Sequence, residues 1–333
     1  MYKIENGEIY YVSSDEIIDR ELEIPEEIGG EIVTSIRDGT FEGRDDIDLV
    51  ACPKTLKRIG YRAFYNSSIK EIFLPPDLLE IGASAFERSL IESINLYGKR
   101  FGCHTFAHCP NLTEVIFNNQ NETAVGMFLE TPVKSIIGWE SLRKISVDTF
   151  KGCKMSHVAF RTNSRLSEIG NGAFMGCNVK SVHLPTTLKS IGSAAFRDCH
   201  LLNSINIPTS IVEIGDTAFM GCKSLTNISW PLPSVSEGTF SDCKKLSKIY
   251  FKKKVSYIGR FAFYGTGFSE FDWPEGVPLL KGVLANCSKL TKFYTEDSKV
   301  LLMKNPKSSD FFYDSKHITV LSRYMNEPVK TTA

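Results

Sequence analysis

Ile191-Gly192-Ser193-Ala194-Ala195-Phe196-Arg197-Asp198-Cys199 is the stretch that decides the fold, because the same phrase returns along most of the chain. Its aromatic anchor recurs at Phe41, Phe64, Phe86, Phe106, Phe128, Phe150, Phe174, Phe196, Phe219, Phe240 and Phe263, with Leu284 in the twelfth place. Successive anchors are 20 to 24 residues apart. That period fits one leucine-rich-repeat coil per unit and no helical-pair repeat. A chain of 333 residues would hold two or three ordinary domains, but a repeat array is not bound by that prior, since each unit packs only on its neighbours.

Eight or nine residues after each anchor stands an apolar residue in a short alternating stretch: Leu49, Ile72, Ile94, Val115, Ile136, Val158, Val182, Ile205, Ile228, Ile249, Phe271 and Phe293. Alternation over four or five residues is the strand signal, and one such strand per coil pairs with the strand of the next coil. The expected result is a long parallel sheet. Proline at 53, 75, 185, 208, 231 and 274 follows the strand and turns the chain out of the ladder, because it has no amide donor. The other half of each coil runs from an Ile-Gly pair into Ala-Phe. Glycine there suits an unusual backbone angle or a close approach, and Ala-Phe predicts a helical turn that drops its ring inward.

Three residues past the anchor, Cys109, Cys153, Cys177, Cys199, Cys222, Cys243 and Cys287 share one phase of the coil. A single phase predicts a buried column of small apolar groups with weak thiol donors rather than a disulfide framework. Atypical ends are expected to close the stack. Residues 1–40 read as a capping hairpin, with Ile9-Tyr10-Tyr11-Val12 as one strand and Gly29-Gly30 as a turn. Residues 41–295 carry the repeats. Residues 296–333 read as a second cap and tail, supplied by Val300-Leu301-Leu302-Met303, Phe311-Phe312-Tyr313 and Ile318-Thr319-Val320-Leu321, with Pro328 onward expected to be free.

The phrases Ile24-Pro25…Gly29-Gly30…Val33-Thr34-Ser35-Ile36, Ile-Gly-x-x-Ala-Phe-x-x-Cys and Leu-x-x-Ile-x-Leu-Pro resemble the BspA-like leucine-rich-repeat family over residues 20 to 295. The resemblance implies an α/β repeat solenoid: a right-handed superhelix with a long parallel β-sheet on its concave face and short helical or irregular turns on its convex face. It also implies an adhesin-like role, in which a protein ligand such as a host matrix or cell-surface protein is bound. A fold alone does not establish that role.

Charges balance at 39 basic and 39 acidic residues, so no long-range field favours nucleic acid or an anionic membrane. Lys252-Lys253-Lys254 reads as a solvated turn. No stretch approaches the ~18 apolar residues of a membrane span, and Met-Tyr-Lys-Ile-Glu-Asn-Gly-Glu lacks the apolar region of a secretory leader. As written, the chain is expected in the cytoplasm; a start further upstream would place it at the cell surface or outside the cell.

Chemistry is weakly signalled. Cys103-His104-Thr105-Phe106-Ala107-His108-Cys109 offers four potential zinc ligands, with His104 and His108 on one face if the segment is helical, yet Cys109 belongs to the inward column. Ser181, His183 and Asp198 supply the residue types of a triad, without a Gly-x-Ser-x-Gly elbow. No catalytic, cofactor or metal residue is assigned, and no enzyme activity is expected. Trp230 and Trp273 occupy positions taken by Leu74, Leu184 and Ile207 elsewhere and are expected in the core. Residues flanking the inward strand position point outward, and Phe73, His157, His183, Asn206 and Tyr250 are the candidate protein-binding residues among them. Eleven steps of ~4.8 Å give a ladder of roughly 50 Å, enough for an interface of standard size. A glycan-binding or surface-structural repeat protein is the alternative reading.

Overall fold

A computed structural model describes residues 1–301, 309–315 and 318–322. Contacts divide it into two units, Met1–Ser156 with Phe160–Cys177, and His157–Ala159 with Asn178 onward. Each unit is a run of coils.

The interior is set by the anchors. In the first unit the rings of Phe41, Phe64, Phe86, Phe106, Phe128, Phe150 and Phe174 stack in order, with centroids 4.8 to 5.7 Å apart and planes within 19°. In the second, Phe196, Phe219, Phe240 and Phe263 do the same at 5.6 to 5.9 Å. All are fully buried. The spacing follows the ~4.8 Å between paired strands, so the ladder of backbones and the pile of rings reinforce each other. Each buried ring contributes roughly 1.5–3 kcal/mol by area.

Two strand ladders, rather than one, flank this column. The first is the expected one, with Glu21–Glu23, Leu49–Ala51 and Glu71–Phe73 in parallel, then Ser93–Leu96, Glu114–Phe117 and Ser135–Ile137. The second unit repeats it with His157–Ala159, Ser181–His183 and Ser204–Asn206, then Asn227–Trp230 with Lys248–Phe251, and Glu270–Asp272 with Lys292–Thr295. The second ladder is built from two-residue strands such as Ser35–Ile36, and Arg58–Ile59 and Glu80–Ile81, each of which precedes the glycine of an Ile-Gly pair. Their isoleucines point inward and are buried. In the first repeat Val50, not Leu49, is the inward residue: Val50 is fully buried and pairs with Ile72, while Leu49 pairs with Glu71.

The third side of the coil is not helical. At Phe64, Ala63 N–H donates to Gly60 O, Tyr65 N–H to Arg62 O, and Ser67 N–H to Phe64 O, which makes three linked β-turns. The alternate amides of Arg62, Phe64 and Asn66 donate to Ala83 O, Ala85 O and Glu87 O of the next coil at 2.7 to 3.1 Å. In each of the twelve coils the residues two before and two after the anchor have left-handed φ. Ten of those positions are glycine and fourteen are not, His104, His108, Ala194 and Phe261 among them. A residue with positive φ at the third position of a turn defines type II geometry and stops a helix, so the expected helical turn gives way to a third hydrogen-bonded ladder.

The Ile-Gly glycines serve close approach rather than an unusual angle. A Cβ on Gly82 would lie 2.6 Å from the backbone of Gly60, and one on Gly102, which follows Phe101 at the same phase, would lie 2.1 Å from Ala83 N.

At the N-terminus, Tyr2–Glu5 and Glu8–Val12 form an antiparallel hairpin, and Glu8–Val12 pairs in parallel with Ser35–Ile36. Gly29-Gly30 turns between Glu27–Ile28 and Glu31–Ile32. At the other end the coil pattern recurs once more. Phe312 is fully buried, Phe311 O and Tyr313 O accept from Leu284 N and Asn286 N, and Asp314 is left-handed. Thr319–Ser322 then pairs with Lys292–Thr295. Leu302, Met303 and the segment from Pro328 lie outside the described residues.

Candidate protein-binding face

The first strand ladder turns one face to the interior and the other to solvent. Because successive side chains alternate, the residues on either side of the buried one form two outward columns. Phe73 ends its strand 54% exposed on the first unit, and sequence reasoning passed over Ile137 there, 50% exposed. Both are large apolar groups held in water. Next to them Asn118 bonds the side chain of Asn95 and the carbonyl of Leu96, and Asn95 in turn bonds the Tyr97 hydroxyl. A recess of about 420 Å³ on this unit is lined by Asp19, Glu21, Asp48, Lys70, Glu71 and Glu92 among others. Hydrogen bonds from Arg20 and Lys70 hold the Asp48 carboxyl down to about 2.

His157, His183, Asn206 and Tyr250 lie on the second unit and are exposed, Tyr250 to 49%. Ala159, His183 and Asn206 are in register across three strands, while His157 is in register with Ser181. The two histidines therefore sit on a diagonal, as their phase predicts. His157 Nδ1 lies 2.8 Å from Ser181 Oγ, a contact that takes Ser181 away from a triad with His183. Asp198 lies in the turn after Phe196 and pairs with Arg197 at 3.4 Å. The Asn206 amide is occupied by the fold: its Oδ1 accepts from Leu184 N at 2.7 Å and its Nδ2 donates to Leu184 O at 3.2 Å. It braces the neighbouring coil where the strand ends.

The cysteine-histidine segment does not converge. His104 and His108 take the two left-handed positions around Phe106, and His108 Nδ1 lies 3.4 Å from Glu130 Oε2. Cys103 is exposed, whereas Cys109 is buried and donates to Phe86 O at 3.0 Å. Among the described residues no three His, Cys, Asp or Glu side chains are grouped to hold a metal.

Cys109 is one rung of a repeated bond. Cys153, Cys177, Cys222, Cys243 and Cys287 likewise donate to the carbonyl of the preceding anchor, Phe128, Phe150, Phe196, Phe219 and Phe263, at 2.9 to 3.2 Å. Ser89, Thr131 and Thr266 fill the same phase where cysteine is missing, and each contacts the next thiol. Burial pushes the thiols of Cys109 and Cys153 up to about 12 and that of Cys287 up to about 11. Such groups stay protonated and unreactive at neutral pH. Trp230 and Trp273 are core residues whose Nε1–H donates to Ser234 O and Val277 O.

The described residues include no helix long and apolar enough to cross a membrane. The chain is similar to a leucine-rich repeat protein from Bacteroides ovatus, at 22% identity and a TM-score of 0.62 over 90% of this chain and 87% of that one. It is also similar to the pneumococcal vaccine antigen PcpA, at 15% identity and 0.57 over 96% and 91%. A leucine rich cell surface protein from Faecalibacterium prausnitzii matches at 17% and 0.50 over 100% and 98%. At these identities the likeness is one of fold. Among curated proteins no relative matches the sequence. The family model for the BspA type leucine rich repeat region matches in six copies across residues 34–157 and 167–291. Repeat scaffolds of this kind typically serve protein interaction or surface display and are generally non-enzymatic. On three-quarters of its length, the chain belongs to the BspA-type leucine-rich-repeat family.

Proposed function

We propose that the chain is a non-enzymatic scaffold that binds a protein ligand through the outward face of its first strand ladder, in an adhesin-like role at a cell surface. The observation that carries this reading is the exposure of Phe73, Ile137 and Tyr250 on a hydrogen-bonded backbone. Rigid aromatic and aliphatic groups that lose little entropy on binding are favoured as interface anchors. The display of the Faecalibacterium relative, described as a cell surface protein, supports the surface location.

The test is affinity for purified extracellular-matrix proteins, measured for the parent chain and for two variants, F73A/I137A and H157A/H183A/Y250A. Loss of a hot-spot anchor weakens binding by about 2 kcal/mol or more, some thirtyfold. Asn206 is left in place because its amide braces Leu184. Undiminished affinity in both variants, with melting temperatures unchanged, sinks the assignment of the sheet face. Binding on a glycan array that the same variants abolish would favour carbohydrate as the ligand.

A further inference from the structure

On the turn side of the second unit, a recess of about 350 Å³ is lined by aromatic and acidic side chains. Phe261, Tyr264 and Tyr313 form one wall. The Phe261 and Tyr264 rings stand 6.2 Å apart at 72°, and those of Tyr264 and Tyr313 6.4 Å apart at 51°. Glu237 and Asp242 line the recess with them, and among the described residues no basic side chain does. Among the described residues neither carboxylate makes an ion pair.

Phe261 occupies the left-handed position that every coil carries two residues before its anchor. Phe261 has φ +54, a region that bulky L residues avoid, and its ring covers Gly282 so closely that a Cβ there would lie 2.2 Å from Cε1. Gly282 is thus required by the ring above it. The third ring comes from the segment that continues the turn ladder beyond Leu284, where Asn286 N–H donates to Tyr313 O at 2.8 Å.

We propose that this recess binds a cationic side chain, an arginine of a protein partner. Three rings line one space, and Tyr264 is tilted against both of the others; the electron-rich face of such a ring attracts a cation, and tilted rings suit one more than the flat stacking of a sugar. Two carboxylates that make no ion pair among the described residues complement a guanidinium, whose planar fork takes carboxylates and aromatic faces at once. The site lies on the turn ladder and does not depend on the sheet-face reading.

The test uses the full chain and two probes, acetyl-Gly-Arg-Gly-amide and its citrulline counterpart, which keeps the shape and loses the charge. Side-chain resonances of Tyr264 and Tyr313 report occupancy. Saturable shifts with the arginine peptide are expected, about tenfold weaker with citrulline and about tenfold weaker again for arginine in E237Q/D242N. F261G relieves the left-handed residue and is expected to fold at least as well while losing most of the response. H183A/Y250A is expected to leave it unchanged, which separates this site from the sheet face. Equal response to arginine and citrulline, no response at all, an undiminished response in E237Q/D242N or F261G, or tighter binding of maltohexaose would each overturn the proposal.

Discussion

The interior and the outward sheet face of the same coils obey opposite rules. Inside, the anchor is phenylalanine at every coil from Phe41 to Phe263, and its rings stack within a narrow range of distances. Outside, the residue after the inward strand position runs Ala51, Phe73, Asn95, Ile116 and Ile137 in the first unit. In the second it runs Ala159, His183 and Asn206, then Ser229 and Tyr250. Packing admits one shape per rung, because a close-packed column transmits any mismatch to both neighbours. Solvent imposes no such demand. Stability is therefore written in the repetition, and any recognition must be written where the repetition lapses.

The largest difference should appear on truncating the two kinds of residue. Phe219→Ala is expected to destabilise the second unit by about 3–5 kcal/mol, and Phe73→Ala to change stability by less than about 0.5 kcal/mol, both read by denaturant unfolding. Comparable losses for the two would erase the distinction. Next in size, Gly102→Ala forces a Cβ to within 2.1 Å of Ala83 N and should cost about 1–3 kcal/mol. Gly43→Ala meets no atom within 4 Å but keeps φ +67, so it should cost only about 1 kcal/mol.

The thiol column gives a pH signature. An unfolded thiol has its ordinary value of 9.0, while Cys109 and Cys153 are raised to about 12. The folded state thus holds these protons more tightly. Their contribution is fully present below pH 9 and is lost as pH rises from there toward 12. The melting temperature of the parent chain should fall more steeply between pH 9 and 11 than that of C109A/C153A, measured by calorimetry, and parallel curves would contradict this. At pH 8 in the native state Cys103, the exposed thiol, should react with a maleimide well before the buried ones do. The smallest effect is a gain: Ala194 has φ +55, and Ala194→Gly should stabilise the fold by about 0.5–1 kcal/mol.

The anchors and the cysteine phase were legible in the sequence because a filled interior restricts residue type at one position per coil. The second strand ladder was not, since two residues such as Glu80–Ile81 are too short to show a period. The left-handed positions were hidden for another reason. Tertiary hydrogen bonds hold Arg62, Ser84 and Thr217 at angles their own preferences oppose, so no glycine pattern marked the turns. Leu49 and Val50 are adjacent apolar residues, so alternation alone does not decide which of them faces inward. The coil at Phe312 was obscured by the 28 residues that separate it from Leu284. On the sheet face, alternation located Phe73, His183 and Tyr250, but it could not show that the Asn206 amide is already engaged by Leu184.

The turn ladder carries a consequence for how such a gene can grow. Within each unit, the amides at the anchor and two residues to either side bond to the coil that follows, from the Phe41 coil to the Phe150 coil and from the Phe196 coil to the Phe263 coil at equivalent atoms. An in-frame tandem copy of one coil's codons would therefore arrive with its donors, acceptors, ring and thiol already matched to both new neighbours. Unequal recombination can lengthen or shorten the array without an unfoldable intermediate, while each copy's outward side chains remain free to diverge.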